Sequence, residues 1–196
     1  MRDLLLATRN RSKFQELKAH LGGLPVRLHT ADEMNIPPVK ETGASFEENA
    51  RIKALHCSRI VDWLALSDDS GLEVDALQGE PGIYSARLGG TGVSDAERCR
   101  LLLKRLEGVA WEERAARFVC VLVLAQKGQV VRIFRGAVDG IIAFAPQGQS
   151  GFGYDPVFYY PPAAKTFPEM GGPDKDAVSH RGRALEQCVR YLEELE

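Results

Sequence analysis

One stretch decides the fold of this chain: Leu64-Ala65-Leu66-Ser67-Asp68-Asp69-Ser70-Gly71-Leu72-Glu73-Val74-Asp75. The apolar run over residues 63–66 predicts a buried strand, which we expect to stop abruptly at the adjacent carboxylates Asp68 and Asp69. In open α/β sheets, ligands bind just beyond the carboxyl ends of the strands. Adjacent carboxylates repel each other unless a cation or a shared proton separates them, and Mg²⁺ is a suitable cation because it prefers oxygen ligands. The stretch therefore predicts either a catalytic metal site or a polar turn, since Asp, Ser and Gly are also common turn residues.

The composition is that of an ordinary globular protein, with 196 residues, 44% hydrophobic and 27% charged. This length predicts one domain over residues 1–196, large enough to contain two lobes. The net charge of −2 gives no basic field of the kind that binds duplex nucleic acid. We find no signal-peptide pattern and no apolar run of membrane-spanning length, so we expect a cytoplasmic protein without a membrane partner. The four scattered cysteines, which form no C-x-x-C pair, predict buried free thiols.

Hydrophobic periodicity in the first half of the chain predicts strands that alternate with helices. Residues 4–7 are a predicted strand, followed by a polar loop and a helix over residues 12–21 with Ser12 as its cap. Residues 26–30 are a predicted second strand. Ser45 then begins a helix that we expect to run to about Val61. This order is typical of parallel βα units.

The second half of the chain predicts an antiparallel addition to the sheet. Ser94 caps a predicted helix that ends near Gly108. Residues 116–126 and 129–136 predict a hairpin around Lys127-Gly128, and residues 138–145 predict a further strand. Parallel units followed by a hairpin make the predicted sheet mixed.

The loop after the first strand and the second predicted helix offer candidate ligands for an anion. Thr8 and Asn10 lie next to a helix start, with Lys13 one turn further on, and helix N-termini attract anions. The loop contains neither a Walker motif nor a dinucleotide-binding fingerprint, and an ordinary capped helix with surface cations would give the same pattern. Lys53 lies on the helix that precedes the acidic stretch, where a cation could reach the same site. Such a lysine is more often simply solvated.

The segment over residues 150–160 combines glycines with aromatic residues. Glycines let a backbone approach a ligand closely, and Phe and Tyr rings offer faces on which a base can stack. From composition alone, an aromatic strand edge with a bulge is the stronger interpretation. His180 and Arg181 begin the predicted C-terminal helix, where their charges oppose the helix macrodipole. Locally unfavourable placement of this kind tends to mark function.

Together these segments resemble the inosine triphosphate pyrophosphatase family, which cleaves deaminated purine nucleoside triphosphates. The resemblance extends in family order over residues 4 to about 185, so it covers nearly the whole chain. The matching segments are residues 6–10 with Lys13, 41–43 with Phe46, 48–50 with Lys53, 67–72, 81–87, 151–156 and 179–182.

The resemblance implies a fold and a reaction. The fold is an elongated α/β structure, with a long twisted mixed β-sheet, flanking helices and two lobes around a central active-site cleft, usually in a homodimer. The reaction is hydrolysis of the α–β phosphoanhydride with Mg²⁺, which releases a nucleoside monophosphate and pyrophosphate. It removes ITP, dITP and XTP from the nucleotide pool. Asp69 resembles the base that activates water, and Glu41, Asp68 and Asp69 resemble the metal ligands.

The resemblance also implies the residues that bind substrate. Those that resemble triphosphate ligands are Thr8, Asn10, Lys13, Lys53, Ser70 and Lys175. Those that resemble the nucleobase segment are Phe152, Gly153, Tyr154 and Asp155, with Phe152 stacked on the ring. His180 and Arg181 resemble the pair that reads the 6-oxo edge of the purine.

Two positions depart from the family pattern. Arg9 stands where glycine is usual, so its side chain either adds a phosphate contact or points to solvent. Lys40 stands where many members have a second acid, which leaves metal binding to Glu41 and the Asp pair. Two other functions stay open at this point: a phosphatase with an Asp nucleophile, which typically has carboxylates two residues apart, and a nucleotide-sensing module that binds without cleaving.

Overall fold

We describe residues 2–195 from a computed structural model. Within these residues, seven strands form one mixed sheet in the order β2-β1-β3-β4-β5-β6-β7. β1 pairs in parallel with β2 and β3, whereas β6 pairs antiparallel with β5 and β7. The strands are β1 (Arg2–Leu6), β2 (Val26–Thr30), β3 (Leu64–Val74), β4 (Ala115–Gln126), β5 (Gln129–Ile142), β6 (Phe158–Tyr160) and β7 (Lys165–Thr166). The mixed sheet confirms the predicted fold class.

The helices account for most of the remaining chain. The α-helices are α1 (Arg11–Leu21), α2 (Phe46–Ser58), α3 (Asp95–Arg105), α4 (Phe167–Met170), α5 (Gly172–Val178) and α6 (His180–Glu194). Short 3₁₀ helices lie at Asp75–Leu77, Gly82–Arg87, Trp111–Glu113, Asp155–Val157 and Pro161–Ala163. In residues 2–195, no helix has both the length and the apolar character needed to cross a bilayer.

The chain forms two compact units, each built from separate segments. Unit 1 takes residues up to 69, residues 120–136 and residues from 181 onwards. Unit 2 takes residues 70–119 and 137–180. That residues 1–196 form one domain stays a prediction.

In unit 1, residues 4–6 of β1 and residues 64–69 of β3 are buried, and their successive side chains point to opposite sides of the sheet. On β1, Leu4 and Leu6 join the apolar cluster formed with α1 and α6. Leu5 joins a different cluster, which includes Cys57 of α2. β3 alternates in the same way, with Leu64 and Leu66 in the first cluster and Ala65 in the second. This alternation fixes the direction of each side chain further along β3.

Unit 2 has its own core, which is rich in aromatic residues. Leu102 of α3 packs in it with Leu72 of β3 and Phe118 of β4. The ring of Phe118 lies 4.6 Å from that of Phe158 and 6.0 Å from that of Phe167, measured between centroids. Large aromatic side chains bury much apolar area, so they dominate the energetics of a core of this size.

The main correction to the sequence prediction concerns β3. The expected end of the strand at Asp68 and Asp69 is wrong, because β3 continues to Val74 with both carboxylates inside it. Apolar residues resume at Leu72 and Val74, which are fully buried and extend the strand into the core of unit 2. The polar turn that Asp, Ser and Gly suggested is therefore wrong as well.

Smaller corrections concern strand and helix bounds. β5 runs without a break from Gln129 to Ile142, so it takes in residues 138–142 of the predicted separate strand, and residues 143–145 lie beyond its end. Asn10 caps α1 instead of Ser12, its side chain accepting a hydrogen bond from the amide of Lys13. α2 ends at Ser58, three residues before the expected end.

Other local predictions are confirmed. Lys127 and Gly128 form the predicted turn between β4 and β5, and both have the positive φ angles typical of two-residue hairpin loops. Ser45 and Ser94 cap α2 and α3 as predicted, each accepting a hydrogen bond from the amide three residues later. All four cysteines are buried free thiols.

Candidate active site

Asp68 and Asp69 lie on opposite faces of β3, because they are adjacent in an extended strand. Asp68 follows Leu64 and Leu66 toward α1 and α6. Asp69 follows Ala65 and Ser67 toward α2, where the hydroxyl of Ser67 donates a 2.6 Å hydrogen bond to the carbonyl of Ala50. The two carboxylates of the predicted acidic pair therefore project to opposite sides of β3, and their shared role in binding a metal stays a prediction.

Asp68 is the centre of a buried ionic cluster in unit 1, and its side chain has no exposed area. It forms an ion pair with the ammonium of Lys13 on α1. Its Oδ2 accepts hydrogen bonds from Nε of Arg181 and from the thiol of Cys120, each at 3.2 Å. Burial alone would raise the pKa of Asp68, but Lys13 and Arg181 hold it far below its usual range. Asp68 is therefore ionised at any physiological pH.

Arg181 extends this cluster to α1. Its guanidinium, on the first turn of α6, also forms an ion pair with Glu16. Burial would lower the pKa of Arg181, but the carboxylates of Asp68 and Glu16 raise it further above its usual range. One buried cation thus ties α1, β3 and α6 together. We predicted that Arg181 reads the base; the structure shows its guanidinium engaged with these two carboxylates.

Sequence reasoning missed Glu16 and Cys120. Glu16 lies three residues after Lys13, so both side chains fall on the same face of α1. That spacing was a usable signal for a shared site. Cys120 gave no such signal, because it is one apolar position among many in β4 and only the sheet order brings it to Asp68.

Asp69 lies in a second polar cluster, which is partly open to solvent. The Nζ atom of Lys53 lies 2.8 Å from Oδ1 of Asp69 and 3.6 Å from Oε1 of Glu41. The side chains are 11% exposed for Asp69, 16% for Lys53 and 27% for Glu41. Burial raises the pKa of Asp69 despite the opposing charge of Lys53. Burial would lower the pKa of Lys53, but Asp69 and Glu41 raise it. One ammonium is thus shared by two carboxylates.

The loop that carries Glu41 is held against the start of α2. The amide of Gly43 donates a 2.8 Å hydrogen bond to Oδ1 of the buried Asn49. A Cβ atom on residue 43 would lie 2.6 Å from Cβ of Glu48 and 2.9 Å from the amide of Asn49. Only glycine allows this approach. The loop therefore places Glu41 next to Lys53, which is on the same helix as Asn49.

The predicted anion loop after β1 has a defined internal structure. Oδ1 of Asn10 accepts a 3.0 Å hydrogen bond from the amide of Lys13, and Oγ1 of Thr8 accepts one from the amide of Asn10 at 3.3 Å. The amides at the start of α1 are thus partly used by the loop itself. Ser70 follows Asp69 on β3 and is half-buried.

The predicted nucleobase segment lies in unit 2. Oδ2 of Asp155 accepts hydrogen bonds from the amide of Phe152 at 3.1 Å and from Nζ of Lys175 at 2.8 Å. The same Nζ lies 4.9 Å from the centroid of the Phe152 ring. The hydroxyl of the buried Tyr154 donates a 2.7 Å hydrogen bond to the carbonyl of Ser85. Lys175 thus contacts the predicted base segment, and its role as a triphosphate ligand stays a prediction.

His180 is the first residue of α6 and belongs to unit 2. Its ring stacks on that of Phe118, with centroids 4.7 Å apart and planes at 10°. The side chain is buried, which fixes the ring plane. This stacking defines the ring's orientation; its contact with a purine stays a prediction.

Comparison with known proteins identifies the family of this chain. The sequence profile of the Ham1 family matches residues 4–191. The chain belongs to the Ham1 family. A relative from Thermus thermophilus named "dITP/XTP pyrophosphatase" is 50% identical over 182 residues, which cover 93% of this chain and 87% of the relative. A protein of the same name from Syntrophobacter fumaroxidans is 48% identical over 193 residues, covering 98% and 82%.

Solved structures of Ham1 proteins share the fold. The Ham1 protein of Coxiella burnetii superposes with a TM-score of 0.92 at 40% identity, over 99% of this chain and all of that one. The Ham1 protein of Staphylococcus aureus gives 0.89 at 35% identity, over the full length of both chains. The family resemblance seen in the sequence is confirmed.

Within the Ham1 fold, the Arg9 side chain is 47% exposed and also contacts a neighbouring segment, while its phosphate contact stays a prediction. Its Nη2 donates a 2.7 Å hydrogen bond to the carbonyl of Ile36, and its Nη1 lies 3.1 Å from Oδ1 of Asp32. The side chain ties the loop after β1 to the segment that follows β2. Arg9 has no positive φ, so the backbone accepts a side chain where the family usually has glycine. Lys40, the other departure, is exposed.

The donor set near Lys53 fits a magnesium ion that shares its ligands with a substrate. Mg²⁺ is commonly held by one or two carboxylates, together with phosphate oxygens and waters. Glu41 and Asp69 supply two carboxylates that already face one cationic group. Across residues 2–195, no group of three or more His, Cys, Asp or Glu residues forms a complete metal cage. Binding of Mg²⁺ by this carboxylate pair stays a prediction.

Proposed function

We propose that this chain hydrolyses the deaminated purine nucleotides ITP, dITP and XTP to the nucleoside monophosphate and pyrophosphate. Membership of the Ham1 family and the relatives named dITP/XTP pyrophosphatase support the reaction. The single observation that carries the proposal is the arrangement of Asp69, with Lys53 and Glu41 beside it, on the opposite face of β3 from Asp68.

In this proposal Asp69 is the base that accepts a proton from the attacking water. Burial raises the pKa of Asp69, which makes its carboxylate a stronger proton acceptor than that of a free aspartate. The charge of Lys53 opposes this rise in the pKa of Asp69. A positioned general base typically contributes about 10²- to 10⁴-fold to the rate.

The cations of unit 1 neutralise the phosphate chain. Lys53 and Lys13 place two ammonium groups on the two faces of β3, and Thr8, Asn10 and Ser70 supply polar contacts. Phosphoryl transfer depends mainly on positioning and on charge stabilisation. We propose that Lys53 leaves its bridging position between Glu41 and Asp69 to bind the triphosphate.

Magnesium is the proposed cofactor, with Glu41 and Asp69 as its ligands. When bound, Mg²⁺ polarises a phosphoryl oxygen and acidifies water. Asp68 is less suited to direct binding, because its oxygens face Lys13, Arg181 and Cys120 without exposed area. Its predicted role as a metal ligand therefore gives way to a structural one in this proposal.

The base specificity is assigned to unit 2 and the start of α6. Phe152 stacks on the purine, and Gly153, Tyr154 and Asp155 form the surrounding segment, with Lys175 on Asp155. His180 and Arg181 present donors to the 6-oxo edge. Adenine has an amino group there, which would leave such donors without an acceptor. An unsatisfied buried donor costs about 1–3 kcal/mol, or roughly five- to 150-fold in selectivity.

A phosphatase with an Asp nucleophile is not supported by the geometry of β3. Carboxylates two residues apart on a strand share a face, whereas Asp68 and Asp69 are adjacent and face opposite sides.

We further propose that the chain acts as a homodimer in the cytoplasm.

The direct test is a substrate panel with product analysis. ITP, dITP, XTP, ATP and GTP are incubated with the protein and Mg²⁺, and pyrophosphate and orthophosphate are measured separately. We expect pyrophosphate from the first three and a much lower rate with ATP and GTP. Orthophosphate as the product would indicate a phosphatase, and binding without product would indicate a nucleotide sensor; either would overturn the proposal. Titration with EDTA tests the metal requirement, and light scattering tests the dimer.

A further inference from the structure

The first two turns of α3 hold the backbone of the predicted nucleobase segment. The amide of Gly153 donates a 2.7 Å hydrogen bond to Oδ2 of Asp95. The thiol of Cys99 donates a 3.3 Å hydrogen bond to the carbonyl of Gly153. Asp95 and Cys99 are four residues apart, so they lie on the same face of the helix. Both polar groups of one peptide residue are thereby bound to α3.

Gly153 has a backbone conformation that side-chain-bearing residues rarely adopt. Its φ angle is +62° and a Cβ atom would meet nothing within 4 Å, so glycine is required for its backbone conformation and not for space. Burial raises the pKa of the Cys99 thiol to about 12, which keeps the sulfur protonated as a donor. Gly153 directly follows Phe152, so fixing its backbone fixes the direction in which the Phe152 side chain leaves the chain.

The other carboxylate oxygen of Asp95 has a separate partner. Oδ1 accepts a 2.6 Å hydrogen bond from Nη1 of Arg98. The side chain of Asp95 is 46% exposed and that of Arg98 is 16% exposed. Arg98 therefore orients the carboxylate, while Oδ2 is directed at Gly153.

We propose that Asp95 is a positioning residue for base recognition, holding Gly153 so that the Phe152 ring keeps the orientation needed to stack on the purine. This proposal rests on the proposed function of the 152–155 segment as the base site. Asp95 is not among the residues proposed to bind the phosphate chain. Its loss should weaken binding of the base and leave binding of the phosphate chain unchanged.

α3 offers a matched control in its own first turn. Glu97 forms an ion pair with Arg100, also three residues later, and is equally an acid at the start of the helix. Glu97 makes no hydrogen bond to the 152–155 segment among those described for these residues. Asp95→Ala and Glu97→Ala therefore both remove a first-turn carboxylate and its i,i+3 pair, and they differ in the bond to Gly153.

The experiment measures ligand binding by calorimetry on the full chain, so it does not depend on turnover. The probes are inosine monophosphate, which has the base, and inorganic tripolyphosphate, which lacks it. Because a partly exposed charge-assisted hydrogen bond is lost, we expect Asp95→Ala to lower the affinity for inosine monophosphate by about three- to ten-fold. The affinity of Asp95→Ala for tripolyphosphate should stay within about two-fold of the wild-type value. Glu97→Ala should bind both probes with the affinity of the wild type.

Two results would overturn the positioning role: equal binding of inosine monophosphate by the two variants, or an equal weakening of both probes by Asp95→Ala. If Asp95→Ala does not fold, Asp95→Asn replaces it. The neutral amide oxygen of Asn still accepts a hydrogen bond from Gly153, but a weaker one, so the affinity for inosine monophosphate should fall by about two- to three-fold. An unchanged affinity would contradict the proposal. A wild type that binds inosine monophosphate but releases no pyrophosphate from ITP would refute the proposed enzyme function alone.

Discussion

Asp68 and Asp69 are neighbours on β3, but the two faces of the strand give them different surroundings. Asp68 is fully buried and surrounded by donors from α1, β4 and α6. Asp69 is partly exposed and faces Lys53, which it shares with Glu41. The environment lowers the pKa of Asp68 and raises that of Asp69. One carboxylate is suited to hold the structure together and the other to accept a proton.

The comparison shows how the extended conformation assigns roles to adjacent residues. Environments that push the pKa values of two carboxylates apart are characteristic of acid–base sites. Here the two carboxylates are adjacent in the sequence, and their opposite directions from the strand give them different environments. The substitutions that follow test each face separately.

The largest effect is expected for Asp69→Asn, which removes the proposed base and keeps its shape. Turnover of ITP should fall by about 10²- to 10⁴-fold, the usual contribution of a general base. The free energy of unfolding should change by only about 1 kcal/mol, because burial already disfavours the ionised form of Asp69. Steady-state kinetics and denaturant unfolding measure the two quantities. A rate within ten-fold of the wild type would exclude Asp69 as the base.

Asp68→Asn should act mainly on stability. It removes the charge of Asp68 from the buried guanidinium of Arg181, and breaking a buried ion pair costs about 3–5 kcal/mol. Because the pKa of Asp68 is lowered in the folded state, its stabilisation is fully present above the unfolded pKa of about 3.9 and is lost as the pH falls further. The loss on substitution should therefore be large at pH 7 and shrink in acid.

The control for this prediction is Asp139→Asn. Asp139 pairs with Arg117 at 2.6 Å, but its side chain is 77% exposed. An exposed pair is worth about 0–1 kcal/mol. If the two variants lose the same stability at neutral pH, Asp68 has no special structural role.

A smaller effect is expected for Arg181→Lys, which keeps the charge but loses the planar fork. Lysine cannot hold Asp68 and Glu16 with the same geometry, so stability should fall by about 1–2 kcal/mol. If Arg181 also reads the 6-oxo group, the preference for ITP over ATP should narrow. The kcat/KM ratio for the two substrates measures this. An unchanged ratio with lowered stability would confine Arg181 to the buried cluster.

The smallest effect is a shift in pH dependence. Protonation of Asp69 should abolish its function as a base, so kcat/KM should fall on the acid side, with a midpoint above the ordinary value of about 3.9 for aspartate. Lys53 opposes the rise in the pKa of Asp69. In Lys53→Gln the midpoint should therefore move to still higher pH. A midpoint that stays in place would show that the acid limb belongs to another group.

Part of the fold and the family could be predicted from the sequence, because local patterns indicate them. Ser45 and Ser94 were recognisable helix caps, and the order of the motifs indicated the family. The continuation of β3 could not be predicted in the same way. Asp-Asp-Ser-Gly has turn chemistry, and only burial of Leu72 and Val74 in the core of unit 2 overrides it. Tertiary packing often prevails over local propensity in strands.

The partners of Asp68 also lay beyond the sequence pattern. Arg181 is 113 residues away and Cys120 is 52 residues away, so neither periodicity nor spacing could pair them with it. The roles of Lys175 and Arg181 were taken from the family resemblance. The structure adds contacts to Asp155 and to Glu16 that the motifs did not indicate.

Isotope transfer in a single turnover gives the most direct test of Asp69 as a base that acts through water. Enzyme in excess over ITP is reacted in ¹⁸O-labelled water with Mg²⁺, and the products are analysed by mass spectrometry. Direct attack by water predicts one labelled oxygen in the products of the first turnover. An acid-quenched enzyme that carries a nucleotidyl or phosphoryl adduct on Asp69, or ¹⁸O in the Asp69 carboxylate, would instead show a covalent aspartyl intermediate and contradict the proposed mechanism.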